Sequence, residues 1–305
     1  RMPRPGRIAL SPMLNPKGRL IGDFTVARLL GRDAGRFMIF GSGIAQDYHL
    51  RWFEAHLPAD GGVAVRALGL SLTGLSIAGP KARDLLAAVT AEDVSAEAFP
   101  FLAFRRMEIG PIPALVGRIS FTGDLGYEIW VAPEYQRALW DLLADRGAGF
   151  GLRPFGARAL NSLRLEKSWG SWAREYRPIY GPVEAGLDRF VDFAKPGFIG
   201  RDAALRERDA GPGRRLVTLA VDVASGAEAA DVIGDEPIWH AGRVVGWVTS
   251  GGYAHHSGVS VAMGYVPAAL AAADSFAADS FAIEILGDRR PATILKTPLL
   301  PAMPA

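Results

Sequence analysis

The sequence predicts an α+β protein, with antiparallel sheets and helices over the first 212 residues and a small all-β barrel or jelly roll after them. Three observations carry this. Helical apolar stripes and short alternating runs interleave up to about residue 210. Gly211-Pro212-Gly213 then interrupts the chain, and beyond it the apolar runs are short and spaced like strands. The length of 305 residues, 49% of them hydrophobic, is more than one core comfortably holds. The expected domains are therefore 1–212 and 213–305.

The elements follow in order. Residues 20–30, LIGDFTVARLL, alternate in part and hold Phe24, Thr25 and Val26, which reads as a strand; RFMIF at 36–40 reads as a second. Gly41-Ser42-Gly43 makes a turn. Over 44–57, Ile44, Tyr48, Trp52 and Phe53 lie on one helical stripe that Pro58 and Gly61-Gly62 end. Strands are expected at about 63–68 and 73–78, and Pro80 opens a helix at a favoured first-turn position. Three strands at 104–110, 113–120 and 127–132 are divided by turns at Gly110-Pro111 and 122–126.

Helices are expected over 133–145, 154–167 and 201–209. Between the last two, residues 168–200 are rich in Trp, Tyr, Pro and Gly and read as ordered loops with short helical pieces. Strands at 214–221, 235–239, 243–249, 259–266, 281–286 and 290–296 complete the barrel. The near-repeat ADSFAADSF within this part is too short for a repeat architecture.

Composition excludes several functions. There are no cysteines, which removes disulfides, thiolate metal sites and a cysteine nucleophile, and fits a reducing compartment; a cytoplasmic location is expected. Thirty-four basic residues against 32 acidic leave a net charge of +2, too small an excess for a nucleic-acid footprint. No apolar run reaches the ~18 residues of a membrane span. The N-terminus, RMPRPGRIAL, lacks the apolar core of a secretory signal. It has no initiator Met at position 1, and the chain is expected to begin inside a longer polypeptide.

Gly41 and Gly43 could open a dinucleotide fingerprint, but its third glycine is replaced by Gln46, whose side chain blocks close helix–strand packing. The flanking strands read as antiparallel, so a plain turn is the better account. His255-His256 has no carboxylate at ligand spacing and reads as a barrel loop. Ser42 and Ser250 lack a nucleophile elbow.

A set of collinear motifs is more specific. These are MLNPKGRLIGDFTVARL at 13–29, GSGIAQDYHLRWFEAHLP at 41–58 and RISFTGDLGYEIWV at 118–131, then RPFGARALNSLRLEK at 153–167, EAGLDRF at 184–190 and GWVTSGGYAHHSGVSVAMGYVP at 246–267. In this order they resemble the folate-binding aminomethyltransferase region shared by the glycine-cleavage T-protein and the dimethylglycine and sarcosine dehydrogenases. The stretch RPFGARALNSLRLEKSWGSWAREY is more similar to the dehydrogenases. The resemblance implies T-protein-like folate-binding domains, the first of them incomplete here. It implies tetrahydrofolate as cofactor and methylene transfer coupled to oxidative N-demethylation of dimethylglycine or sarcosine, giving 5,10-methylenetetrahydrofolate. FAD would be held on a missing domain or a partner chain. Two alternatives stay open: the glycine-cleavage aminomethyltransferase itself, and a non-catalytic folate-binding subunit. No nucleic acid or membrane partner is expected.

Asp23 matches the family's catalytic aspartate in MLNxxGxxxxD. Methylene transfer passes through an iminium cation, which a fixed carboxylate stabilises. Asp is disfavoured in strands, so its place in an apolar run needs a reason. Glu128, in TGDLGYE, matches the pterin-binding glutamate. A pterin offers an N–H and an amino group side by side, and one carboxylate accepts both. The plainer alternative for Glu128 is a solvent-facing residue after a turn. By resemblance, Phe121, Phe101 and Trp169 offer rings for stacking, or simple core. Arg158 stands near, but not at, a family arginine whose place is taken by Leu160, and Leu10 replaces a family aromatic.

Overall fold

The computed structural model describes residues 2–223, 230–272 and 281–300. The near-repeat ADSFAADSF lies, apart from its last residue, outside them. The chain forms two compact units. One takes in residues up to Ser11 and Phe24–Pro154; the other takes in Pro12–Asp23 and the chain from Phe155 on. The Gly211-Pro212-Gly213 interruption lies inside the second unit.

β1 (Ile8–Leu14), β2 (Leu20–Arg28) and β3 (Phe37–Phe40) form a three-stranded sheet in that order, with β2 and β3 antiparallel. Both β1 and β2 run on from one unit into the other. A short 3₁₀ turn leads into α1 (Gln46–Ala55). β4 (Thr73–Ala78), α2 (Ala82–Ala87), β5 (Phe104–Ile109), β6 (Ile112–Gly117), β7 (Gly126–Val131) and α3 (Gln136–Gly147) complete the first unit. Its second sheet is antiparallel, in the order β4-β7-β6-β5.

That sheet is covered on both faces. On one, Ile109, Val116, Tyr127 and Ile129 pack on Leu85 and Leu86 of α2 and on Leu139 and Leu143 of α3, one turn apart. On the other, Phe104, Leu115 and Trp130 meet Ile8, Ala27, Leu29 and Phe40. Each large aliphatic side chain buried outright stabilises by about 1.5–3 kcal/mol.

In the second unit, α4 (Ala157–Glu166) is followed by loops with one short 3₁₀ turn, as expected for 168–200, and then by α5 (Arg201–Ala210). β8 (Arg214–Val221), β9 (Pro237–His240), β10 (Arg243–Ala254), β11 (Val259–Pro267), the short α6 (Ala268–Ala272), β12 (Phe281–Ile285) and β13 (Asp288–Ile294) follow. The six strands close into a barrel in the order β10-β11-β8-β13-β12-β9. Its core includes Leu219, Ile238, Val248, Val266 and Ile283. Closure removes the open edges that six short strands would otherwise present. Among the described residues, no helix is long and apolar enough to cross a membrane.

One expectation is corrected, and one strand that the sequence reading did not name is present. Residues 63–68 form no strand; Val63 is 54% exposed, and no neighbouring strand accepts the segment. Alternation alone does not make a strand, because the backbone groups need a partner. Conversely, β1 forms despite its basic, proline-rich approach. It is an edge strand, the place in a sheet where a proline such as Pro12 is tolerated.

Candidate functional site

The glycines of the motifs explain themselves first. A Cβ on Gly41 would stand 2.8 Å from the Phe24 ring, so the turn passes too close to β2 for any side chain. That is a packing role, in line with reading Gly41-Ser42-Gly43 as a turn. A Cβ on Gly126 would stand 2.8 Å from the Ile77 carbonyl, so this residue lets β7 enter beside β4.

Glu128 lies on β7, opposite Ser76 on one side and Gly117 on the other. Alternation along the strand sends it to the face of Trp130, away from Tyr127 and Ile129. It is half-buried, and among the described residues it has neither counter-ion nor hydrogen-bond donor. Burial alone pushes its carboxyl up to about 7. In the same unit, Phe121 is partly exposed in the turn that precedes β7, where the Ser120 and Thr122 hydroxyls are 2.7 Å apart. Phe101, in the turn before β5, accepts a bond from Arg7 Nη2 at its carbonyl, 2.7 Å, with its ring partly exposed.

Asp23 belongs to the other unit, at the point where β2 leaves it. The β2 segment is tied to the 176–184 loop: Leu20 N donates to the Tyr180 carbonyl at 2.9 Å, and Arg19 pairs with Glu184 at 3.0 Å. The Asp23 carboxyl is half-buried and accepts its own backbone N–H. Burial first, and the charge of Glu175 as a further cause, push it up to about 7.

Glu175 is wholly buried and anchors a network that sequence reading missed. Its Oε2 accepts from Arg164 Nη1 at 3.0 Å and from Ser171 N at 2.9 Å. Its Oε1 accepts from Thr249 Oγ1 at 2.7 Å and from the Ser250 hydroxyl. Tyr265 donates to its backbone carbonyl at 2.9 Å. The next residue, Tyr176, is buried beside Asp23; burial and the two carboxylates raise its pKa, so the phenol stays protonated. A signal existed for Glu175, since an acid in a stretch dense with aromatics is a candidate buried anion.

Trp169 is half-buried and held from both ends, since its carbonyl accepts from Arg164 Nη1 at 3.0 Å and its N–H donates to the Arg164 carbonyl at 3.0 Å. Arg189 lies over its ring, 5.7 Å from the centroid, and also acts on Tyr176. Trp169 thus shares Arg189 with Tyr176, the neighbour of Asp23. Arg158 is exposed on the first turn of α4, with no hydrogen bond or ion pair among the described residues. His256 N and the Ser257 hydroxyl both donate to buried Glu166, which holds the β10–β11 turn.

The family model for the GCVT N-terminal domain matches residues 2–195, and that for the glycine cleavage T-protein C-terminal barrel domain matches residues 214–300. The chain belongs to the glycine-cleavage T-protein family.

Within it, a relative is the aminomethyltransferase of Desulforamulus reducens, 30% identical over 86% of this chain and 69% of that protein. Human mitochondrial dimethylglycine dehydrogenase is 36% identical over 98% of this chain. The chain spans only 34% of that enzyme's length. The crystal structure of glycine cleavage system aminomethyltransferase T from Bartonella henselae has the same fold, with a TM-score of 0.81 at 23% identity over 98% of this chain and 77% of that one. The T-protein architecture of mixed helices, antiparallel sheets and a terminal barrel is thus this chain's own.

Proposed function

We propose that this T-protein family chain binds tetrahydrofolate and directs one-carbon transfer, with Asp23 as the catalytic carboxylate and Glu128 as the pterin anchor. The observation that carries the reading is Glu128, a half-buried carboxyl with no donor to satisfy it among the described residues. An ionised carboxylate only accepts hydrogen bonds, and leaving it unpaired out of water is costly. Two adjacent N–H donors of a pterin match its two oxygens.

Tetrahydrofolate, when bound, supplies the amine nitrogens that take up the one-carbon unit. The rest is the chain's work. With a pKa near 7, Asp23 populates both protonation states at neutral pH. Ionised, it stabilises a cationic one-carbon donor; in exchange with its acid form, it carries a proton to or from an amine nitrogen. The charge of Glu175 helps to raise the pKa of Asp23, and Tyr176 lies buried beside it. Phe121, Phe101 and Trp169 would offer stacking faces, and Arg158 a cation for the acidic tail. Residues 1–212 would be the folate-binding region and 213–305 the barrel domain.

The finer reading is that the donor comes from oxidative N-demethylation of dimethylglycine or sarcosine, on an FAD-binding domain or partner chain, giving 5,10-methylenetetrahydrofolate. Similarity to dimethylglycine dehydrogenase along almost the whole chain supports it. The second reading, a glycine-cleavage aminomethyltransferase, is favoured by the larger share of the bacterial aminomethyltransferase that the chain covers. Calorimetric titration with tetrahydrofolate tests the common part, and absence of binding would overturn it. Turnover separates the rest. Methylenetetrahydrofolate formed only with dimethylglycine and an FAD oxidase supports the first reading; formation only from an aminomethyl-lipoyl carrier supports the second; binding with neither makes the chain a non-catalytic folate module.

A further inference from the structure

β7 carries a second polar group, on the face opposite Glu128. Tyr127 is wholly buried against α2 and stacks on Phe99 with ring centroids 5.9 Å apart. Its hydroxyl accepts a hydrogen bond from Arg83 Nε at 3.1 Å. The guanidinium of Arg118, just past the end of β6, faces the same hydroxyl. Arg118 is only 5% exposed, and its Nε makes no hydrogen bond. Among the described residues, no carboxylate pairs with either arginine.

Two cations therefore converge on one phenol hydroxyl. A buried charge is ordinarily paired, because desolvation costs more than a single neutral hydrogen bond returns. Here burial and the charge of Arg83 both lower the pKa of Arg118, which is the mark of like charges crowded together. The guanidinium fork suits planar or tetrahedral oxyanions. Tyr127 can accept from an arginine and still donate its own proton, so its hydroxyl can serve an anion held by the two guanidinium groups. Arg83 is half-exposed on the first turn of α2, which leaves a way in from solvent.

We propose that Arg83, Arg118 and Tyr127 form a binding site for a phosphate-class dianion. Charge selects the class: a phosphate or phosphate monoester carries about −1.5 to −2 at neutral pH and offsets both guanidinium groups, where a carboxylate would leave one unbalanced. The site is independent of the folate reading, since it lies on the other face of β7 and uses none of the residues assigned there.

The test is calorimetry on the full chain with inorganic phosphate, and separately with glycerol phosphate, in chloride buffer of matched ionic strength. Both should bind saturably. Tighter binding of the ester points to a phosphorylated metabolite, and equal binding to free phosphate. Arg83→Met keeps the aliphatic stem and should weaken binding by about tenfold or more, the scale of one charge-assisted hydrogen bond. Tyr127→Phe should weaken it less. No heat from either anion, or binding unchanged in Arg83→Met, overturns the proposal. The variant comparison also separates a site from the general stabilisation that phosphate gives any fold.

Discussion

Arg164 and Glu175 form an ion pair of 3.0 Å in which the side chains are 3% and 0% exposed. Every oxygen of the carboxylate has donors from two sources, and the arginine also holds Asn161 and Trp169. The pair thereby joins α4, the 168–176 loop and barrel strand β10. Removing one partner strands a buried charge, so Glu175→Ala should lower unfolding stability by about 3–5 kcal/mol in urea titration. The double variant Arg164→Met with Glu175→Met should cost much less than the two single changes added together. Additive losses would mean the two groups are not coupled as the geometry requires.

Asp23→Asn keeps size and hydrogen bonding but removes the charge. If Asp23 acts on the transferring unit, turnover should fall by about 10²–10³-fold, the scale of losing one electrostatic stabiliser. Folate affinity should hardly change. Steady-state rates beside calorimetry read both numbers, and full turnover in the variant would remove Asp23 from catalysis.

Glu128→Gln should fail differently. An anchor holds folate alike in ground and transition states, so affinity should drop by roughly 1.5–3 kcal/mol while saturated turnover is largely kept. Only ionised Glu128 accepts both pterin donors, and its pKa lies at about 7. Affinity of the parent should therefore rise with pH through neutrality. A flat pH profile would argue that Glu128 is not the acceptor.

Both carboxyls, at about 7, are harder to ionise folded than unfolded. Between about pH 4 and about pH 7 the folded chain keeps protons that the unfolded chain has released. Stability must then fall as pH rises through that window, with the penalty complete above it. Asp23→Asn and Glu128→Gln escape the penalty. Each should be more stable than the parent by on the order of 1–3 kcal/mol at about pH 8, and nearly equal to it at about pH 4. Thermal melts across this range decide the matter, and a difference that does not vary with pH would contradict the burial of these groups.

Most of the local elements, and the family, are legible in the order of the residues. Period-2 and period-3.6 patterns located β2, the helix α1 and all six barrel strands, because those periods record which side of an element is buried. The collinear motifs singled out Asp23 and Glu128 as candidates. Tertiary structure alone decided what depends on a distant partner. β1 exists because β2 pairs with it, and 63–68 is no strand because nothing does. Glu175 reads as one acid among loop residues until Thr249 and Ser250, far along the chain, close on its carboxylate. Desolvation was equally invisible: Asp23 and Glu128 reach about 7 through the burial that surrounds them, and burial is a sum over neighbours that no local pattern encodes.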